Sequence, residues 1–135
     1  MGLPLDLPAL VQTIRDAVPD VIAVYLFGSM ARGDESVRSD LDLAMLGRGP
    51  LDPVFRWELQ QRLAVAAGCD VDLVDLRAAS TVLRVQVLRD AQLLFESERN
   101  ARALFEATAL SMYARLNEER RGIIEDVLRS GRIYG

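Results

Sequence analysis

Residues 21 to 27 read VIAVYLF, an unbroken apolar succession rich in β-branched and aromatic side chains. A strand with one wet face alternates; this one does not, so it reads as a central strand buried on both faces. Gly28 ends it. Two further stretches share its character, DLDLAML at 40 to 46 and CDVDLVDL at 69 to 76, and residues 92 to 95 read as a short last strand.

Helical spacing fills the intervals. Asp6 is a cap, with Pro8 in the first turn, and Leu10, Val11, Ile14, Ala17 and Val18 keep the period until Pro19. After the turn GRGP at 47 to 50, Asp52 and Pro53 open a second helix that runs to about Ala67 and is closed by Gly68. A third covers Ser80 to Asp90. From Glu96 to about Ser130 there is no proline and one glycine, Gly122. There Ala101, Phe105, Met112, Leu116, Ile123 and Val127 form an apolar stripe interrupted near Glu119 and Arg120, which reads as one long helix or two with a break. The stripe serves either to pack on its own domain or to meet a partner. The fold class is α/β (α+β). A single domain of 135 residues is expected, residues 1 to 95 forming its sheet-bearing part and 96 to 135 a helical extension packed on it.

Within this apolar pattern, Asp40 and Asp42 are out of place. Carboxylates are costly to bury without an arginine, hydrogen bonds or a metal. Residues one apart on a strand share a face, so Asp40 and Asp42 point one way and Leu41 and Leu43 the other. Their carboxyl groups can converge on one or two cations. Gly28 and Ser29 stand where a strand turns toward a helical turn over Ser29 to Arg32 that Gly33 is suited to close. Free N–H groups and the absence of a Cβ there favour a phosphate. Carboxylates beside a phosphate cradle make a nucleoside triphosphate site, with Arg32 and Arg38 either touching phosphate or solvating the loop.

On the third strand Asp70 and Asp72 share a face and Asp75 takes the other. Asp72, flanked by Val71, Leu73 and Val74, is the preferred third carboxylate; Asp70 lies at the strand entrance, and Asp75 is a strand-end cap. Cys69 reads as a small core filler.

Composition narrows the chemistry. All 16 basic residues are arginine, histidine is absent and cysteine occurs once. No amine is available for Schiff-base chemistry, and a structural zinc site lacks ligands. What remains is carboxylate and hydroxyl chemistry, with or without a hard metal such as magnesium. The net charge of −4 argues against direct nucleic-acid binding. No apolar run approaches the roughly 20 residues that span a bilayer. No secretory signal opens the chain, so a reducing, cytoplasmic setting and no membrane are expected.

Gly28-Ser29, ten residues, then Asp40-x-Asp42 resembles the signature of the DNA polymerase β-like nucleotidyltransferases. The fuller pattern GSMARG, SDLDLAML, VDLVDL is similar to their minimal nucleotidyltransferase branch. The resemblance covers about residues 20 to 76 and extends more loosely to Phe95. It implies a small mixed sheet flanked by helices, with magnesium, as two ions, held by Asp40, Asp42 and Asp72. It also implies ATP as substrate, its phosphates at Gly28 and Ser29, with Arg32 and Ser39 beside them. The tail RALFEATALSMYARL further resembles the MntA-type antitoxins, which transfer AMP from ATP to a tyrosine of a HEPN-domain toxin RNase. That implies a HEPN toxin as partner. Two other functions stay open at this point: a non-catalytic antitoxin that binds through its terminal helix, and transfer to a small molecule such as an aminoglycoside.

Overall fold

A computed structural model describes residues 5–28, 31 and 41–130. Four strands form one sheet in the order β3-β2-β1-β4, so the apolar run β1 (Ala23–Phe27) is internal, as its composition requires. β2 (Leu41–Leu46) and β4 (Gln92–Glu96) flank it, both antiparallel. β3 (Val71–Asp75) runs parallel to β2. A parallel neighbour demands a crossover, which α2 (Pro53–Ala67) provides. The sheet is therefore mixed.

Helices cover both faces. On one, Leu10, Val11 and Ile14 of α1 (Leu7–Ala17) and Leu59 and Leu63 of α2 meet Val24, Leu26, Leu41, Leu43, Met45, Val71 and Leu73. On the other, Val87 of α3 (Thr81–Asp90) and Phe105 of α4 (Arg99–Ser130) meet Ala23, Tyr25, Ala44 and Leu46. The helix starts follow the capping residues. Asp6 accepts the Ala9 N–H at 3.1 Å, Asp52 those of Val54 and Phe55 at 3.1 Å, and Ser80 that of Leu83 at 3.1 Å. Gly68, at φ +72°, closes α2.

Three side-chain devices fasten the frame. The edge strand β3 would expose unpaired backbone, and α2 covers it: Gln60 Oε1 accepts the Leu73 N–H at 2.9 Å, and Arg56 donates to the Leu73 carbonyl at 2.9 Å. Asp75, buried, accepts the N–H groups of Leu51 at 2.7 Å and Arg77 at 3.1 Å, the strand-end cap that its position suggests. Tyr25 donates its hydroxyl to Glu106 at 2.9 Å; Glu106 pairs with Arg102 at 2.8 Å, and Arg102 reaches Glu96, tying β1, β4 and α4 together.

One expectation needs correction, and one pair of alternatives is resolved. Cys69 is exposed rather than a core filler. Gly68 ends the helix and the ladder begins only at Val71, so Cys69 sits in the turn between them. The final segment does not break near Glu119 and Arg120: α4 is a single helix of 32 residues. A polar pair interrupts a stripe only where the stripe is core. Ala101 and Phe105 do pack on the sheet, whereas every residue from Glu118 to Asp126 is exposed. Among the described residues no helix is long and apolar enough to cross a membrane.

Candidate active site

Strand parity sorts the carboxylates. Leu41, Leu43 and Met45 enter the α1–α2 core, and Ala44 and Leu46 enter the other. Asp42 therefore lies on the α3–α4 face. On β3, Val71 and Leu73 enter the α1–α2 core while Val74 packs on the opposite side, which puts Asp72 on the same face as Asp42. The parallel register sets Asp42 directly beside Asp72, and the antiparallel register sets Phe27 beside Asp42. One row across three strands thus reads Phe27, Asp42, Asp72, with strands about 4.8 Å apart. Asp75 faces the other way, as the parity argument requires.

Two like charges side by side on a sheet face destabilise it unless a cation compensates them. Asp42 is half-buried and Asp72 exposed. Both line a recess of about 310 Å³ together with Asp70, Val71, Gln60, Gln61 and Ala64. The donors offered are carboxylate and amide oxygens, the set that suits magnesium and not a thiophilic metal. Among the described residues no group of three acids or cysteines could hold a metal ion. The pair Asp42 and Asp72 is what the fold brings together, and Asp40 would have to complete it.

Gly28 abuts the same carboxylate. Its φ is +75°, and a Cβ there would lie 2.2 Å from Asp42 Oδ2. Only glycine fits on both counts. Gly28 and Asp42, fourteen positions apart in sequence, are thus in contact because β1 ends where β2 begins.

Asp40, Ser29, Arg32 and Ser39, with Arg38 and Gly33, lie outside the described residues, as does most of the turn over Ser29 to Arg32. Asp70 is exposed at the recess rim, its carbonyl accepting the Leu41 N–H at 2.9 Å, in keeping with a strand entrance. Gln60 and Gln61 were not legible as site residues. Their place follows from how α2 docks on β3, and their one sequence signal is a polar pair between the core residues Leu59 and Leu63.

Residues 10–100 match the family model described as polymerase beta nucleotidyltransferase. The protein adenylyltransferase MntA of Shewanella oneidensis is 44% identical over 119 residues, covering 88% of this chain and 85% of that protein. A crystal structure of a toxin–antitoxin with AMP-PNP matches at TM-score 0.80 and 43% identity, over 90% of this chain and 97% of that one. A second, a tri-AMPylated Shewanella oneidensis HEPN toxin in complex with its MNT antitoxin, matches at TM-score 0.74 and 41% identity, over 90% and 94% of the two chains.

Proposed function

From the premise that this chain belongs to the polymerase beta nucleotidyltransferase family and is a nucleotidyltransferase of the MntA type, we propose that it moves AMP from ATP onto a tyrosine hydroxyl of a HEPN-type toxin and thereby acts as its antitoxin. The observation that carries the chemistry is the adjacency of Asp42 and Asp72 in one row at the end of the glycine-closed strand. A binding module gives no reason to set two carboxylates side by side on one sheet face. The acceptor class is supported by the modified toxin bound to the similar antitoxin.

Asp42 and Asp72, with Asp40, would hold magnesium, which when bound neutralises triphosphate charge and makes a hydroxyl more acidic. The chain's own groups do the rest. Gly28, lacking a Cβ, lets the Asp42 carboxylate lie against the backbone where β1 ends, and Ser29 contacts the phosphates. The phenol oxygen forms a bond to the α-phosphorus, the bond from that phosphorus to the bridging oxygen breaks, and pyrophosphate leaves with the electron pair. The phenol proton passes to Asp72, whose exposed side returns it to solvent. A phenol with a pKa near 10 is a poor nucleophile at neutral pH without such help.

The test is the intact mass of the toxin encoded beside this chain, after incubation with the protein, ATP and magnesium. Additions of about 329 Da per AMP are expected, as ATP minus pyrophosphate requires, and their loss in Asp42→Asn. Toxin neutralised with no mass change would instead establish the non-catalytic antitoxin.

A further inference from the structure

Asp42 and Asp72 stand beside each other, but their strands are not held alike. β2 has a neighbour on each side, so the backbone that carries Asp42 is fixed by two ladders. β3 is an edge strand with β2 alone beside it. The Asp70 carbonyl accepts the Leu41 N–H at 2.9 Å, and the Leu76 N–H donates to the Met45 carbonyl at 3.0 Å. The strand period of two therefore turns the backbone groups of Asp72 toward β2 and those of Leu73 toward the open side.

α2 stands in for the missing strand. Gln60 Oε1 accepts the Leu73 N–H at 2.9 Å and Arg56 donates to the Leu73 carbonyl at 2.9 Å, so Leu73 finds an acceptor and a donor as it would on a ladder. Arg56 also donates to Gln60 Oε1 at 2.9 Å, and the two donors on one oxygen fix the orientation of the amide. The Leu73 N–H belongs to the peptide group that begins at the Asp72 carbonyl carbon. Gln60 thus holds the peptide plane next to the Asp72 side chain, and it lines the recess that Asp42 and Asp72 share. Blunting an edge against other strands needs only a charge, a proline or a cover. Two side chains that meet both backbone groups of one residue do more, because they set a position. A site that binds and reacts needs its groups held to within about 0.5 Å.

We propose that Gln60, oriented by Arg56, is a positioning residue: by holding the Asp72–Leu73 peptide it keeps the Asp72 carboxylate at the spacing from Asp42 at which the two share a divalent cation. This rests on the transfer reading above, and half of its test needs no turnover. Gln60→Met keeps the length of the side chain and loses the acceptor, whereas Gln60→Glu keeps the acceptor. Ser97→Ala is the control, since it gives up a hydrogen bond of the same kind, to the Val21 carbonyl at 2.8 Å, on the far side of the sheet. All are assayed at a temperature where melting shows each variant folded. Single-turnover AMP transfer is expected to slow by about tenfold or more in Gln60→Met, as loss of an outer partner of a metal ligand does. Gln60→Glu should recover most of that rate, and Ser97→Ala should keep it. In an Asp72→Ala background, Gln60→Met should change nothing further, because its effect passes through Asp72. Titration with Mn2+ alone, followed by the free-ion EPR signal, should show Kd raised by about tenfold in Gln60→Met. Wild-type rate and Kd in Gln60→Met overturn the proposal. An equal loss with and without Asp72 also overturns it, as does equal slowing in Ser97→Ala, which would make the loss one of stability. A wild type that binds Mn2+ but transfers no AMP refutes the transfer reading alone, and the comparison of Kd values still decides the role of Gln60.

Discussion

Gly28→Ala separates the conformational role of a glycine from its contact with the site, because the molecule contains its own control. Gly28 and Gly68 have nearly the same backbone, φ +75° and +72°, but a Cβ at Gly68 meets nothing within 4 Å, whereas at Gly28 it meets Asp42 Oδ2 at 2.2 Å. Placing alanine in the left-handed region costs about 1–2 kcal/mol at either position. At Gly28 the carboxylate must also swing by more than an ångström to reach ordinary contact. It sits at the end of a short side chain, so it turns off its rotamer at about 0.5–1.5 kcal/mol instead of displacing backbone. The total is about 1.5–3.5 kcal/mol for Gly28→Ala and about 1–2 kcal/mol for Gly68→Ala, where each kcal/mol lowers Tm by roughly 3–5 °C in a domain of this size. Activity diverges far more. Moving Asp42 by an ångström costs about 10²-fold in single-turnover AMP transfer, while Gly68→Ala stays within about twofold. The assay is thermal melting beside single-turnover transfer to the toxin. If both glycine variants lost activity equally, or if Gly28→Ala kept wild-type rates, the argument that Gly28 holds the carboxylate in place would be wrong.

Single alanine variants of the β3 aspartates should part by strand face: Asp72→Ala loses about 10²-fold or more in single-turnover transfer and Asp70→Ala little. Asp75→Ala should instead unfold at lower temperature, by the equivalent of about 2–4 kcal/mol, since it leaves the N–H groups of Leu51 and Arg77 without their acceptor. Gln60→Ala strips the Leu73 N–H of its partner on the sheet edge and should cost about 1–2 kcal/mol, read as earlier unfolding in urea. Burial, reinforced by the hydrogen bond to Glu106, holds the Tyr25 phenol above its ordinary range. A group whose folded pKa is raised gives stability present below the unfolded value, near 10, and lost as pH climbs through the folded one. Melting against pH should therefore show the wild type falling above about pH 10, with Tyr25→Phe flatter across that window; identical slopes would show that Tyr25 is not held neutral.

The elements were legible because each carried its own local signal. Continuous apolar runs marked the strands, Asp6, Asp52 and Ser80 capped the helix starts, and Gly68 could close α2 where other residues could not. Parity on β3 set Asp72 and Asp75 on opposite faces, since a period of two leaves no other choice, and the parallel register then places Asp72 beside Asp42. Cys69 was misplaced because the reading extended β3 back to the helix end, and burial in a turn is not written in residue type. Whether the final segment was one helix or two stayed open for a related reason. Glu119 and Arg120 interrupt a stripe, but they forbid a helix only if that stripe is core, and the helix has left the core before it reaches them.

The contacts that make the recess belong to a different class, since no local pattern specifies them. Gln60 reaches the site only because α2 is the crossover between two parallel strands, and a crossover helix must pack beside the edge strand that it creates. Gly28 touches Asp42 only because β1 and β2 pair with Phe27 opposite Asp42. Each of these residues breaks a local rule: a glycine with positive φ at the end of a buried strand, an aspartate within an apolar run, a second aspartate directly beside the first. Stability alone gives no reason for these violations, whereas a site that holds a cation and a phosphate gives a reason for each of them. Their convergence at one end of β1 and β2 is therefore stronger evidence for a nucleotide site than any one residue taken alone.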